Sequence, residues 1–171
     1  TSGVKTGLHD LDWQTGGLDP GALVILAGRT SSGKTALAMN IVRHVAFKLG
    51  KFVVVHSLEM SRTQLATRIA CQEGNMSLLD IRRANTSERD LTAMVGVYSR
   101  LRGSTLVIDD DASATVARMA NKCRHRQRRG AIGLIVVDYL GLVRPENGRR
   151  ENRTQEVSAI SRGLKALARE M

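Results

Sequence analysis

The sequence predicts an α/β domain of three layers, with a mainly parallel sheet between helices. Two observations predict it. Short apolar runs without alternation recur along the chain, and each is followed by a stretch with helical periodicity. Between the first run and the first helical stretch lies a glycine-rich loop, where an α/β sheet presents its ligand-binding edge.

The elements follow in order. Residues 1–20 are rich in Gly, Thr and Asp and read as an irregular lead-in. Ala22–Ala27 (ALVILA) is a continuous apolar run bounded by Gly21 and Gly28, the pattern of a strand buried on both faces. Residues 34–49 carry Leu37, Ile41, Val45 and Leu49 at four-residue spacing, a helical stripe stopped by Gly50. Phe52–Ser57 is a second buried strand. Ser61 with Gln64 forms a capping box for a helix to about Glu73, and Ser87 with Asp90 starts another to about Arg102. Residues 105–109 form a third strand, residues 113–129 a basic helix, and Ile132–Asp138 a fourth strand. A polar loop over 139–151 leads to a last helix from about Asn152, striped by Val157, Ile160, Leu164, Leu167 and Met171. Strand and helix alternating in this way build a parallel sheet with helices on both faces.

Composition narrows the classes of function. Apolar residues make up 42% of 171, a globular value, and no apolar run approaches the ~20 residues of a membrane span. Cys71 and Cys123 are isolated and the four histidines lack ligand spacing, which points to reduced structural thiols in a cytoplasmic protein rather than a zinc site. The net charge of +10 is concentrated in residues 118–129 and 144–153, which suggests a polyanionic partner such as nucleic acid. With two Phe, two Tyr and one Trp, the chain offers no base-stacking platform.

The chemistry centres on Gly28-x-x-x-x-Gly33-Lys34-Thr35, a complete Walker A pattern between a strand and a helix. Glycines there let backbone N–H groups of Gly28, Arg29, Thr30, Ser31, Ser32, Gly33, Lys34, Thr35 and Ala36 turn toward phosphate oxygens at a helix N-terminus. Lys34 is expected to reach the β- and γ-phosphates of ATP, and the Thr35 hydroxyl to ligate Mg²⁺. A Walker B acid must end an apolar strand, and both Asp109 and Asp138 do so. Asp138 ends the longer and more apolar strand, whereas Asp109, Asp110 and Asp111 fit a strand-to-helix turn with a capping role. Glu59 stands beyond the second strand at the same sheet edge. Its carboxylate suits either water activation or the start of the Ser61 helix.

Taken together, these residues resemble the C-terminal ATPase domain of replicative DNA helicases of the DnaB type, in the RecA-like superfamily. The matching stretches are Thr6-Gly-Leu-His-Asp-Leu-Asp-Trp-Gln-Thr-Gly-Gly-Leu-Asp-Pro-Gly21, the Walker A loop, Ser57-Leu-Glu-Met-Ser61 and Ile108-Asp-Asp110. They continue through Gly133-Leu-Ile-Val-Val-Asp-Tyr-Leu140 and the Glu151–Ala168 signature. The resemblance implies a RecA-like P-loop fold over residues 1–171, with Glu59 as catalytic carboxylate beside Lys34 and Asp138 as the Walker B acid holding Mg²⁺ with Thr35. It implies a homo-hexameric ring with ATP between subunits, single-stranded DNA in the channel, and primase and a helicase loader as further partners. The loop after the Walker B strand faces that channel in related ring helicases, which nominates Arg144, Arg149, Arg150 and Arg153 as DNA contacts. The basic helix over 118–129 is then a solvated outer face.

The chain departs from the family pattern at Thr30 and Ser32, where the phosphate loop usually has Pro and Met, and at Gly141, which replaces a Gln. The first two positions use only backbone toward phosphate, while the third removes a polar side chain beside the channel loop. The resemblance also implies a collar domain before Thr1 and, after Met171, a sensor strand, a further DNA loop and the basic residues offered to a neighbour's ATP. The missing strand would lie between Ala22–Ala27 and Ile132–Asp138, so direct pairing of those two runs is not expected. Such a piece should be a weak ATPase alone. A nucleotide-binding assembly module and a recombinase or clock-type ATPase of the same superfamily are the alternative readings.

Overall fold

A computed structural model describes residues 3–29, 31–145 and 152–171. Its centre is a parallel sheet in the order β2-β1-β3, formed by β1 (Phe52–Ser57), β2 (Leu106–Asp109) and β3 (Ile132–Asp138). β1 pairs with β2 from Val53↔Leu106 to His56↔Asp109, and with β3 from Phe52↔Ile132 to Ser57↔Asp138. The run of β-branched residues in β1 explains its central place: Val53, Val54 and Val55 are buried, so both faces of the strand need cover.

That cover comes from helices on either side. On one face Val53 and Val55 join Met39 and Val42 of α2 (Lys34–Arg43) and Leu65 and Ile69 of α3 (Arg62–Gly74). On the other, Val54 joins Met119 and Cys123 of α6 (Val116–Gln127) and Ile160, Leu164 and Leu167 of α7 (Arg153–Glu170). Two cores on opposite faces of one sheet are the three layers that the alternation predicts. On α7 the stripe is buried at Ile160, Leu164 and Leu167, with Val157 and Met171 half-buried at its ends. On α2 the buried line runs through Met39 and Val42 instead of Leu37 and Ile41, which flank it half-buried, and Leu49 is exposed. A wider turn of π type over His44–Lys48 continues α2 and buries Val45 and Ala46.

Both capping boxes form, at Ser61–Gln64 ahead of α3 and at Ser87–Asp90 ahead of α5 (Glu88–Arg102). Two short helices arise besides the expected ones, one of them in the lead-in read as irregular. α1 (His9–Thr15) lies in the lead-in and buries none of its residues, so it leaves no apolar stripe to read. The Asp12 carboxylate organises it by accepting the Thr6 N–H (2.8 Å), the Thr6 hydroxyl (2.9 Å) and the Gly7 N–H (3.0 Å). Although burial opposes its charge, these donors hold Asp12 below the usual carboxylate range. α4 (Leu78–Arg82) is a single turn capped by Ser77.

One expectation fails. Ala22–Ala27 is not a buried strand: it joins no ladder, and Val24 and Ile25 are each 62% exposed. A continuous apolar run buries both faces only where a neighbouring strand supplies hydrogen bonds and its helices supply cover. Among the described residues no strand pairs with this run, and β3 pairs with β1 alone. Its start is nonetheless anchored, since Lys165 Nζ of α7 donates to the Gly21 carbonyl at 2.7 Å and Leu23 packs on the α6–α7 core.

Candidate functional site

The loop over 28–36 has a backbone that its residues explain. A Cβ on Gly28 would stand 2.6 Å from Ser32 Oγ, so any larger residue there would require the Ser32 hydroxyl to move. Gly33 takes φ 89° as the N-cap of α2, and Ser31 is held at φ 62°. Gly33 has no side chain to cap α2, and among the described residues the first N–H groups of the helix are left to face the loop, which makes this end a ready anion site. Lys34 Nζ donates to the carbonyls of Gly28 (2.9 Å) and Arg29 (2.7 Å), so its ammonium spans the loop. Arg29, Ser31, Ser32 and Gly33 are exposed, and Ala36 lies in the first turn of α2. Thr30 lies outside the described residues.

Three element ends converge beside this loop. Thr35 Oγ1, from the first turn of α2, donates to Asp138 Oδ2 at the end of β3 across 2.8 Å. Asp138 is 9% exposed, and its carbonyl accepts the Leu58 N–H at 2.7 Å. That bond extends the β1–β3 ladder and sets Glu59, the next residue, at the same edge. Glu59 is exposed on a turn closed by Ser57, whose hydroxyl donates to the Met60 carbonyl at 2.6 Å and accepts the Met60 N–H at 3.3 Å. A hydroxyl and a carboxylate in contact are hard oxygen donors. They suit Mg²⁺, which keeps several waters and shares its remaining positions with substrate phosphates. Among the described residues no group of three or more His, Cys, Asp or Glu forms a closed metal cage.

The second acidic cluster does other work. Both carboxylate oxygens of Asp109 accept from Lys122 Nζ (2.9 and 2.8 Å), and Oδ2 lies 3.0 Å from His56 Nδ1. His56 is buried, its Nε2 is 3.6 Å from Cys123 Sγ, and burial lowers its pKa despite Asp109. Burial likewise pushes the Cys123 thiol up to about 11. Asp111 accepts the Ser113 hydroxyl (2.6 Å) and Lys122 (3.1 Å), which hold it well below the usual carboxylate range. The expected capping of α6 by these acids is corrected: Thr115 caps α6, while Asp110 accepts the first N–H of α3, from Arg62, at 2.9 Å. Nor is the basic helix only a solvated face, because Lys122 ties β2 to α6 and Arg124 pairs with Glu170 of α7. Sequence carried little sign of this network, since its partners come from three separate segments.

Of the basic residues proposed for nucleic acid, Arg149 and Arg150 lie outside the described residues. Arg144 is exposed while its backbone N–H donates to the Ala114 carbonyl at 3.2 Å. Arg153 is engaged: one Nη donates to the Gly141 carbonyl (2.6 Å) and the other to Glu156 (3.2 Å). A Cβ on Gly141 would meet the Tyr139 ring at 2.8 Å, so glycine lets the Tyr139 ring and Arg153 close over this turn. The geometry brings Lys34, Thr35, Asp138 and the Glu59 turn to one edge of the sheet. No helix among the described residues is long and apolar enough to cross a membrane.

Comparison with known proteins matches residues 3–171 to the family described as DnaB-like helicase C terminal domain. The chain is 41% identical over 170 residues to replicative DNA helicase DnaB of Geobacillus stearothermophilus, covering 99% of this chain and 37% of that protein. It is 39% identical over 170 residues to replicative DNA helicase DnaC of Bacillus subtilis, with the same shares covered. Among solved structures, one of an ATPase domain superposes with a TM-score of 0.90 at 31% identity, over 98% of this chain and 60% of that one. A DnaB-like replicative helicase, solved in a study of its interactions with primase, gives 0.89 at 30% identity, over 98% and 41%. The chain thus spans 37% of the length of these curated relatives.

Proposed function

The chain belongs to the DnaB-like helicase C-terminal domain family, and on that premise we propose that residues 1–171 act as one RecA-like ATPase unit in the motor of a replicative DNA helicase. The observation that carries this reading is the contact of Thr35 with Asp138, 103 residues apart, beside the loop spanned by Lys34. It joins the phosphate loop to the apolar strand that ends in an acid, as an ATP–Mg²⁺ site requires.

In this reading the N–H groups from Gly28 to Ala36 cradle the phosphates, with the α2 N-terminus adding positive potential. Lys34 supplies a cation for the β- and γ-phosphates, its ammonium held among the described residues by two carbonyls of its own loop. Thr35 and Asp138 hold Mg²⁺, which when bound neutralises charge developing across the transferred phosphoryl group. Glu59 orients and polarises the attacking water, and its exposure leaves the carboxylate free to take the proton.

The relatives are named replicative DNA helicases, and for the longer protein our proposal is a homo-hexameric ring, in the cytoplasm, that translocates on single-stranded DNA and separates duplex strands. Arg144, Arg149, Arg150 and Arg153 would line its DNA channel, and primase and a helicase loader would be its protein partners. Arg153 must leave the Gly141 carbonyl to reach a phosphate. The test is Glu59→Gln in the full-length protein. ATP should still bind while DNA-stimulated turnover falls about 10²-fold or more; turnover near wild type would return Glu59 to a role at the start of α3.

A further inference from the structure

A carboxylate on an exposed turn is useful in a reaction only if the turn is held. The turn from Ser57 to Ser61, which carries Glu59, is fixed on its β1 side by the Leu58–Asp138 backbone bond and by Ser57. On its α3 side the capping box satisfies two N–H groups: Gln64 N–H donates to Ser61 Oγ (3.3 Å) and Ser61 N–H to Gln64 Oε1 (3.0 Å). The N–H of Arg62, the first residue of the helix, is left without a partner inside α3. A residue 48 positions away supplies it. Asp110 Oδ2 accepts the Arg62 N–H at 2.9 Å, and Asp110 Oδ1 accepts Arg62 Nη2 at 3.2 Å.

Asp110 is itself placed by strong constraints. It follows the last residue of β2, whose ladder with β1 ends at His56↔Asp109. Asp109 is clamped by Lys122 and His56, so the chain enters Asp110 from a fixed point. The Arg62 N–H holds Asp110 below the usual carboxylate range, and the group is therefore charged at neutral pH. From this geometry we propose that Asp110 is a positioning residue for ATP hydrolysis: it fixes the α3 end of the Glu59 turn against β2. The inference rests on the reading of Glu59 as the catalytic carboxylate.

The experiment uses the full-length protein with single-stranded DNA and compares Asp110→Ala, Asp110→Asn, Glu59→Gln and the Asp110→Ala/Glu59→Gln pair. Asp110→Ala should lower kcat about 10- to 100-fold, because small misplacements of a catalytic group carry such costs. Affinity for a non-hydrolysable ATP analogue should stay within about twofold, as expected when an interaction acts on the transition state alone. Asp110→Asn keeps an oxygen acceptor for the Arg62 N–H and should recover most of the loss. On the Glu59→Gln background, Asp110→Ala should cost no further turnover in a single-turnover assay, since the group it positions is already gone. A merely structural role would lower analogue affinity and melting temperature together and add its loss to that of Glu59→Gln. That result, or near wild-type kcat in Asp110→Ala beside an inactive Glu59→Gln, overturns the inference alone. Wild-type turnover in Glu59→Gln overturns it together with the reading beneath it.

Discussion

Replacing Thr35 with valine keeps shape and volume and removes one hydroxyl. In the wild type that hydroxyl donates to Asp138 across 2.8 Å, and Asp138 is 9% exposed, so water cannot freely replace the lost donor. A hydrogen bond to a charged acceptor of this kind is worth about 1.5–3 kcal/mol. For a chain of this length each kcal/mol moves the melting temperature by about 2–4 °C, so Thr35→Val should melt about 3–12 °C lower. Thr35→Ser, which retains the hydroxyl, should stay close to wild type. Melting followed by circular dichroism, with ATP alone and with ATP and Mg²⁺, gives the second half of the test. Wild type and Thr35→Ser should gain stability from Mg²⁺ beyond that from nucleotide, and Thr35→Val should lose that increment. If Thr35→Val melts with wild type and keeps its Mg²⁺-dependent gain, the contact is neither structural nor part of a metal site.

Two further outcomes follow. His56 is buried among Asp109 of β2, Lys122 and Cys123 of α6 and Asp111 beyond β2, and its pKa is lowered from 6.5 mainly by burial. The unfolded chain therefore binds the proton more readily, so stability present above pH 6.5 should be lost as pH falls below it; melting between about pH 7.5 and 5.5 should show this slope, and His56→Gln should flatten it. Replacing Arg144, Arg149, Arg150 and Arg153 with alanine in the assembled full-length protein should weaken single-stranded DNA binding and reduce its salt slope, as titrations at several salt concentrations would show. Unchanged affinity and slope would make these arginines surface residues.

The fold was legible where local signals and tertiary burial agree. Phe52–Ser57 and Ile132–Asp138 read as strands and are strands, and the Ser61 and Ser87 boxes mark helix starts to the residue. Ala22–Ala27 misleads because a continuous apolar run states only what burial would favour, whereas a ladder needs a partner strand elsewhere in space. α1 escapes notice because nothing on it is buried; its organiser, Asp12, works through hydrogen bonds that leave no periodicity. At the site, the loop pattern named Lys34 and Thr35 directly, the apolar strand favoured Asp138 over Asp109, and the family resemblance chose Asp138. The ladder puts Asp138 against the Thr35 hydroxyl and sets Asp109 against Lys122. The tie from Asp110 to Arg62 joins positions 48 apart by a bond that no spacing announces.

The central claim is that residues 28–36 bind the phosphates of a nucleotide through Lys34 and the start of α2. Isothermal calorimetry with Mg²⁺ and a non-hydrolysable ATP analogue, on wild type and Lys34→Ala, tests it most directly. Removing one charge-assisted contact should weaken binding about tenfold or more while circular dichroism stays unchanged. Equal affinity in the two proteins would contradict the account.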